Sequence, residues 1–373
     1  MTNEEDIYHL MKPEHFEPLM SKVLNGLKNG ESICLYGMPG IGRRYFVRQL
    51  EILLKQQNLA DIVITWEATL YEKGLVEQIE NEMREKIAPL RSAKQNFVRG
   101  KANIFPELKE YLETHKIIII LSYIERLKDK EKVFKFLRIL RTLHQTNLSI
   151  LTTCDQSILV DPDIYLSGPE QFAESFYAFE PFDLKGTKRA IDLLLKTYGL
   201  KVKSSSLPKI HELSGGNASL SKYICKAVDT YGDKVLSDLK ELVNYPPLKI
   251  RLDEFIQITF KEKPEILKQL KIVNSKGKIF AKALQYYLKN YEAEHLDILF
   301  PDLTQLEKRI LSYLLLNKGT IINKDRLAFW MGMSDDDFSL WAIYKIISRI
   351  KKKIEGKFKL ENVKGRGYRL IIN

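Results

Sequence analysis

The sequence predicts a doubly wound α/β unit on a parallel sheet, then a helical segment, then a small C-terminal unit in which three helices precede a β-hairpin. Three observations carry that prediction. Apolar strands alternate with amphipathic helices over residues 1–180, the pattern of a parallel sheet with helices on its faces. From 181 to 245 the apolar positions recur at helical spacing only. After 301, helical patterns give way to two short strands joined by "KGRG".

The elements follow in chain order. Residues 14–29 carry Phe16, Leu19, Met20, Val23, Leu24 and Leu27 on one helical stripe. "SICLYG" (32–37) is a short apolar strand that runs into a glycine-rich loop, and "YFVRQLEILLKQQ" (45–57) is the helix after it. "DIVITWEA" (61–68) is a second strand. Helical patterns fill 72–113, with interruptions expected near Pro89 and Pro106. "KIIIILSYI" (116–124) is a strand whose unbroken β-branched run suits a sheet covered on both faces. "VFKFLRILRTLHQ" (133–145) is a helix and "LSILTTC" (148–154) a strand. Beyond 181 come "LKGTKRAIDLLLKTYG", "SSSLPKIHELSGG" and "ASLSKYICKAVDTYG", all helical in pattern. Pro246 and Pro247 are expected to break the chain, and 248–300 reads as mostly helical.

The 373-residue chain is 45% hydrophobic and 29% charged, an ordinary globular composition. Its net charge of +11 is unevenly spread, because residues 301–373 hold fifteen Lys and Arg against eight Asp and Glu. Such an excess attracts nucleic acid, another acidic partner or an anionic surface. Three scattered cysteines form neither a disulfide framework nor a metal pair, which fits a reducing cytosol. The acidic start "MTNEEDIYHL" lacks an apolar signal core. The longest apolar run, "IIIILSYI", is far shorter than the roughly 20 residues of a membrane span. The expected setting is soluble and cytoplasmic, without a membrane partner.

The first chemistry-bearing stretch is "GMPGIGRRYF" (37–46). A phosphate loop reads G-x-x-x-x-G-K-[ST]: backbone N–H groups cradle phosphate, the Lys reaches it, and the hydroxyl holds magnesium. Gly37, Gly40 and Gly42, with Ile41 between, keep the turn between strand and helix. Arg43 and Arg44 replace the Lys and the hydroxyl. A guanidinium still binds oxyanions. Arg44 supplies no oxygen to a metal and is expected to put a cation where the metal should sit.

The stretch "IIIILSYIERL" (117–127) resembles the strand of P-loop ATPases that ends in Asp-Glu. Ser122 and Tyr123 stand where those acids belong, and Glu125 is the nearest carboxylate. "SILTTCD" resembles a sensor strand, "YAFEPFDLKGTKRAIDLL" the approach to a lid, and "ELSGGNASLSKYI" a Gly-Gly-Asn-Pro lid motif with Ala218 for the proline. On these motifs residues 14–245 resemble the AAA+/STAND class of P-loop ATPases, including origin-recognition-type initiators. The resemblance implies an α/β P-loop NTPase-like parallel sheet with a helical lid, and a nucleotide site at Gly37, Gly40, Ile41, Gly42, Arg43 and Arg44. Both metal-handling motifs are altered together, and phosphoryl transfer depends on the metal. The expectation is therefore no catalytic residue, no bound metal and no ATPase activity. Three readings of the loop stay open: a tight turn kept by the fold, binding of ATP or ADP without magnesium, and hydrolysis with Glu125 as the acid.

The strongest pattern is 303–370. Thr304 and Glu307 form a capping box before a helix expected to bury Leu306, Ile310, Leu311 and Leu314. "NKGT" ends that helix, and "NKDRLAFWMG" starts a second with an Asn cap. "SDDDFS" places acids at the start of a third. On that third helix Ile343, Ile347, Ile350 and Ile354 form the core stripe. The opposite face carries Trp341, Lys345, Ser348, Arg349 and Lys352. A solvated basic face explains the cations and leaves an exposed tryptophan unexplained. "FKLENV" and "YRLIIN" are strands, with Arg366 at the tip between Gly365 and Gly367. A helix–turn–helix followed by such a hairpin is a winged helix-turn-helix.

"LTQLEKRIL", "ISRIKKKI" and "VKGRGYRL" resemble the OmpR/PhoB-type transcriptional regulatory domain. The resemblance implies that the third helix enters the major groove and the wing touches the adjacent backbone or minor groove. By position the DNA contacts would be Trp341, Lys345, Ser348, Arg349, Lys352, Lys364 and Arg366. The loop before the third helix is shorter than the family's, which weakens an expected contact with RNA polymerase, and the family's small N-terminal sheet is not visible in 290–302. The strands lack the aspartates of a phosphoacceptor domain.

The expected organisation is a degenerate AAA+/STAND-like α/β domain (1–180), a helical lid (181–245), a helical linker region (246–300) and the winged helix (301–373). The expected function is sequence-specific binding of double-stranded DNA in transcription regulation, with the first module as sensor, scaffold or self-association unit. The competing reading is an initiator-like or DNA-remodelling AAA+ ATPase with a C-terminal winged helix. A third is a protein-interaction module whose winged helix docks on protein.

Overall fold

The computed structural model describes residues 16–68, 74–87, 104–143, 146–166, 172–262, 264–274, 278–290, 296, 300–331, 333, 339–356 and 358–372, and every absence stated below concerns these. They divide into two compact units: one runs to Gly199 and includes Asn217–Ser219, the other holds Leu200–Gly216 and everything from Leu220 onward. No helix among the described residues is long and apolar enough to cross a membrane.

The first unit is a five-stranded sheet of β1 (Ile33–Tyr36), β2 (Ile62–Glu67), β3 (Ile117–Ser122), β4 (Leu148–Cys154) and β5 (Ser175–Ala178), in the order β2-β3-β4-β1-β5. Every pairing is parallel. β3 and β4 are buried at every position, which is what their β-branched and apolar runs require of a sheet covered on both faces. The helices are α1 (Leu19–Lys28), α2 (Arg43–Gln56), α3 (Leu75–Ile87), α4 (Phe105–Leu112), α5 (Lys130–Leu143), the short α6 (Ser157–Val160) and α7 (Pro162–Leu166), and α8 (Leu184–Tyr198). Because the strands are parallel, the glycine loop after β1, Tyr123 after β3 and Asp155 after β4 all open on the carboxyl edge of the sheet, where α/β folds build sites.

The strand pattern needs one correction. The sequence pattern misses β5, since "SFYA" is short, opens on a serine and is only half-buried at every position. It forms because β1 offers it a register, Ile33 beside Ser175 through Tyr36 beside Ala178. A break between helices falls at Asn244–Tyr245, directly ahead of Pro246 and Pro247, as expected. They open a 16-residue helix, Pro246–Lys261, where the first-turn N–H groups have no acceptor to lose. Pro106 likewise sits in the first turn of α4. Pro89 lies outside the described residues.

The second unit continues with α9 (Leu207–Ser214), α10 (Ala218–Tyr231), α11 (Leu239–Val243), α12 (Pro246–Lys261), α13 (Pro264–Gln269) and α14 (Lys282–Asn290). Then come α15 (Gln305–Leu316), α16 (Lys324–Met331), α17 (Leu340–Ile354), β6 (Phe358–Val363) and β7 (Gly367–Ile372). The Thr304–Glu307 capping box is formed in both directions. α15 buries Ile310, Leu311, Tyr313 and Leu314, while Leu306 is only half-buried, against expectation. Tyr313 takes up core space instead, its ring 5.2 Å from that of Trp330. On α17 the buried stripe is Ile343, Ile346, Ile347, Ile350 and Ile354, each worth about 1.5–3 kcal/mol of gross burial. The acids of "SDDDFS" fall at 335–337, outside the described residues; the N-cap is Ser339, whose hydroxyl accepts from the Ala342 N–H.

β6 and β7 are antiparallel, with Phe358 opposite Ile372 and Val363 opposite Gly367. A third segment joins them. Ile322, between α15 and α16, donates its N–H to the Tyr368 carbonyl at 2.7 Å and accepts from the Tyr368 N–H at 2.8 Å. Gly367 makes this approach workable. Its φ of +140° lies where L side chains rarely sit, and a Cβ there would strike the Ile322 carbonyl. Most of 290–302, where the sequence shows no N-terminal sheet, lies outside the described residues.

Candidate functional site

Two places concentrate chemistry. The first is the glycine loop. Gly40 (φ +68°) and Gly42 (φ +102°) are left-handed, and Gly42 is the N-cap of α2. Asn217 Nδ2 donates to the Pro39 carbonyl and the Ser219 N–H to the Gly40 carbonyl, both at 2.9 Å. A Cβ on Gly37 would lie 2.9 Å from that of Phe179, so this glycine is fixed by packing. Ile41 is buried. Behind the loop Phe16 meets Phe46 and Phe182 with ring centroids 5.4 and 5.7 Å apart, and Phe46 meets Phe179 at 5.3 Å.

Both arginines of the loop are closed by carboxylates. Arg43 Nη1 lies 3.2 Å from Glu125 Oε1, and about nine-tenths of each side chain is buried. The Arg43 guanidinium also lies 4.8 Å from the centroid of the Tyr123 ring. Tyr123 itself is left-handed, φ +62°, and donates its N–H to Thr153 Oγ1 at 3.1 Å. Arg44 turns the other way and forks onto Glu67 at the end of β2, with Nη2 at 3.0 and 3.1 Å and Nε at 3.3 Å. The cation at the acidic motif is therefore Arg43, while Arg44 pairs with Glu67. Ser122 is buried, and its Oγ has no hydrogen-bond partner among the described residues.

Burial raises the Glu125 carboxyl above its ordinary range, and the Arg43 charge only partly offsets this. Burial also raises the Tyr123 phenol. Glu125, Cys154 and Asp155 bring ligand-type atoms within 4.8 Å of one another. Burial holds the Cys154 thiol protonated, and a cation there would compete with Arg43 for Glu125.

The second place is the exposed face of α17. Trp341, Lys345, Ser348, Arg349 and Lys352 are all exposed, Trp341 at 69%. They recur at intervals of four, three, one and three, so they share one face opposite the isoleucines. Lys345 Nζ lies 4.6 Å from the centroid of the Trp341 ring. Lys364 and Arg366 are exposed in the β6–β7 turn. Among the described residues no acidic side chain pairs with Lys345, Arg349, Lys352, Lys364 or Arg366. Sequence reading missed Leu340 and Tyr344, exposed at 44% and 43%. Tyr344 accepts from Lys324 Nζ of α16 at 2.7 Å, which ties the two helices of the motif together. The spacing of 340, 341 and 344 was a usable signal for one apolar patch.

Residues 301–370 match the family described as "Transcriptional regulatory protein, C terminal". The C-terminal unit is an OmpR/PhoB-type winged helix. No curated protein matches the chain by sequence. Similar solved structures include a Walker-type ATPase of Pyrococcus abyssi, with 15% identity, a TM-score of 0.46, and coverage of 95% of this chain and 93% of that one. The replication initiator DnaA bound to AMPPCP and single-stranded DNA gives 15% identity, a TM-score of 0.40, and 92% and 93% coverage. The ORC1 protein of Aeropyrum pernix in complex with DNA gives 14%, 0.38, and 97% and 94%. Likeness at this level carries no information on activity.

Proposed function

We propose that this protein is a sequence-specific, duplex-DNA-binding regulator of transcription whose α/β module works as a sensor or scaffold without hydrolysing ATP. The observation that carries the proposal is the α17 face. It presents three cations with no acidic partner among the described residues, an exposed tryptophan, and a wing that adds Lys364 and Arg366. Phosphate contacts set register, and side chains on a groove-entering helix read bases. Three buried cysteines without disulfides fit a cytosolic setting.

The non-hydrolysing reading rests on the loop. Magnesium needs oxygen ligands, and the chain offers it none at position 44. Glu125 and Glu67 are each paired with a loop arginine. The residues present do not fit a magnesium–ATP complex. ATP or ADP without the metal would have to draw those arginines away from their carboxylates.

The test is binding of the full chain to a duplex pool across a salt series. With about six phosphate contacts, log K falls against log[salt] with a slope near −5. A salt-insensitive affinity, or none for any duplex, sinks the DNA reading. Calorimetry with ATP, with and without magnesium, tests the loop; tight magnesium-dependent binding with turnover would favour the initiator-like ATPase instead.

A further inference from the structure

The apolar patch on α17 is not explained by phosphate binding. Trp341 (69% exposed), Leu340 (44%) and Tyr344 (43%) lie together at the start of the helix. They are continuous with the basic face through Lys345, whose ammonium sits over the Trp341 ring. A cation–π contact at an exposed site is worth about 0.5–1 kcal/mol, and an indole left mostly in water has a hydrophobic gain still available. The surrounding cations favour a polyanion over a neutral protein surface as the occupant.

Within duplex DNA, the apolar groups that a side chain meets on base edges are the C5-methyl groups of thymine, and these lie in the major groove. Sugars and phosphates at the rim repeat in every sequence and offer no discrimination. We propose that Trp341 is a specificity-determining residue that reads thymine by packing its indole on thymine methyl groups, with Lys345 lying over the ring and contributing charge. Leu340 and Tyr344 flank the contact. This rests on the DNA-binding reading and goes beyond it, since it names the base and the chemical group recognised.

The experiment uses the full chain. A preferred duplex is selected from a random pool with the wild-type protein. The same duplex is then made with deoxyuridine in place of each thymidine of the recognised half-site, which removes the methyl and keeps every hydrogen-bonding edge. Affinities are measured for wild type, Trp341→Ala and Trp341→Phe. The expected result is a loss of about three- to fivefold per contacted methyl for wild type. Trp341→Phe should lose a similar factor, and Trp341→Ala less than about twofold. Trp341→Ala should keep its melting temperature, because the side chain is exposed.

An equal loss in wild type and Trp341→Ala would assign the methyls to another residue and overturn the inference. No loss in either would overturn it as well, while leaving DNA binding intact. Absence of binding to any duplex would remove the DNA reading itself. A Trp341→Ala variant with unchanged uridine discrimination but lost self-association would give the patch to a second copy of the chain.

Discussion

Arginine and lysine play opposite parts at the two ends of this chain. In the glycine loop Arg43 and Arg44 are each closed by a glutamate, one pair buried and one forked at the surface. On α17 and the wing, Lys345, Arg349, Lys352, Lys364 and Arg366 have no acidic partner among the described residues. The chain's charge of +11 counts both groups alike. Physically they differ. A guanidinium already neutralised within hydrogen-bonding reach contributes little to the field felt by an incoming anion. Unpaired cations on one helix face sum to a field that recruits one. The location of unpaired charge, rather than its total, points to the functional end.

The comparison can be broken first at Arg43. Removing it leaves a buried carboxylate without its cation, so Arg43→Ala should cost about 3–5 kcal/mol in urea denaturation. The Glu125 pKa is raised, so the stability linked to its protonation is present at acid pH and lost as pH rises through that raised value. The deficit of the variant should therefore narrow as pH falls from neutral, beginning above the ordinary carboxylate range. An exposed, weightless pair would show neither the cost nor the pH trend.

Next in size is Gly367→Ala. The positive φ alone implies about 1–3 kcal/mol, and the added methyl also displaces Ile322. Both stability of the C-terminal unit and affinity for duplex should drop. A variant with normal DNA binding would show that the wing does not need this geometry.

A smaller effect is expected at Glu307. It caps α15 and lies 2.7 Å from Lys353 Nζ. Burial pushes its carboxyl up, but the Lys353 ammonium and the Thr304 N–H outweigh it and leave the pKa lowered. Its contribution is thus present above the ordinary range and lost as pH falls through the lowered value. Glu307→Gln should cost about 1 kcal/mol at neutral pH, a difference that closes only at more acid pH than for Arg43→Ala. Two buried glutamates beside cations would then be shifted in opposite directions, Glu125 because burial outweighs the Arg43 charge and Glu307 because the Lys353 and Thr304 hydrogen bonds outweigh burial.

Smallest in stability is Lys352→Ala, expected to leave the melting curve unchanged. Its effect should be on DNA: a uniform weakening across sequences and a salt slope shallower by about one unit. An unchanged slope would remove Lys352 from the phosphate-contacting set.

The sequence was most legible where structure is local. The β-branched run at 117–120 names its strand because burial on both faces favours apolar side chains, and 148–151 carries one polar residue, Ser149, which is buried with its hydroxyl bonded to the Leu27 carbonyl. The α17 face was legible because about half a helix turn separates its isoleucines from its cations. The capping box is three residues long and was read directly. What escaped depends on partners far along the chain. β5 exists because β1 presents an edge 140 residues earlier, roughly the separation of Ile33 and Ser175. That Arg43 rather than Arg44 meets the acidic motif follows from the start of α2 and the left-handed turn at Tyr123, neither of which has a periodic signature. The pairing of Ile322 with Tyr368 needs a glycine whose neighbour is 45 residues away in number and adjacent in space.

That last pairing has a consequence for how the unit measures its target. Two hydrogen bonds clamp the wing to the connector that precedes α16, and Lys324 clamps α16 to α17 through Tyr344. The distance from the α17 face to Arg366 is therefore set by protein bonds before any contact is made. The winged helix is a calliper with its jaws already set.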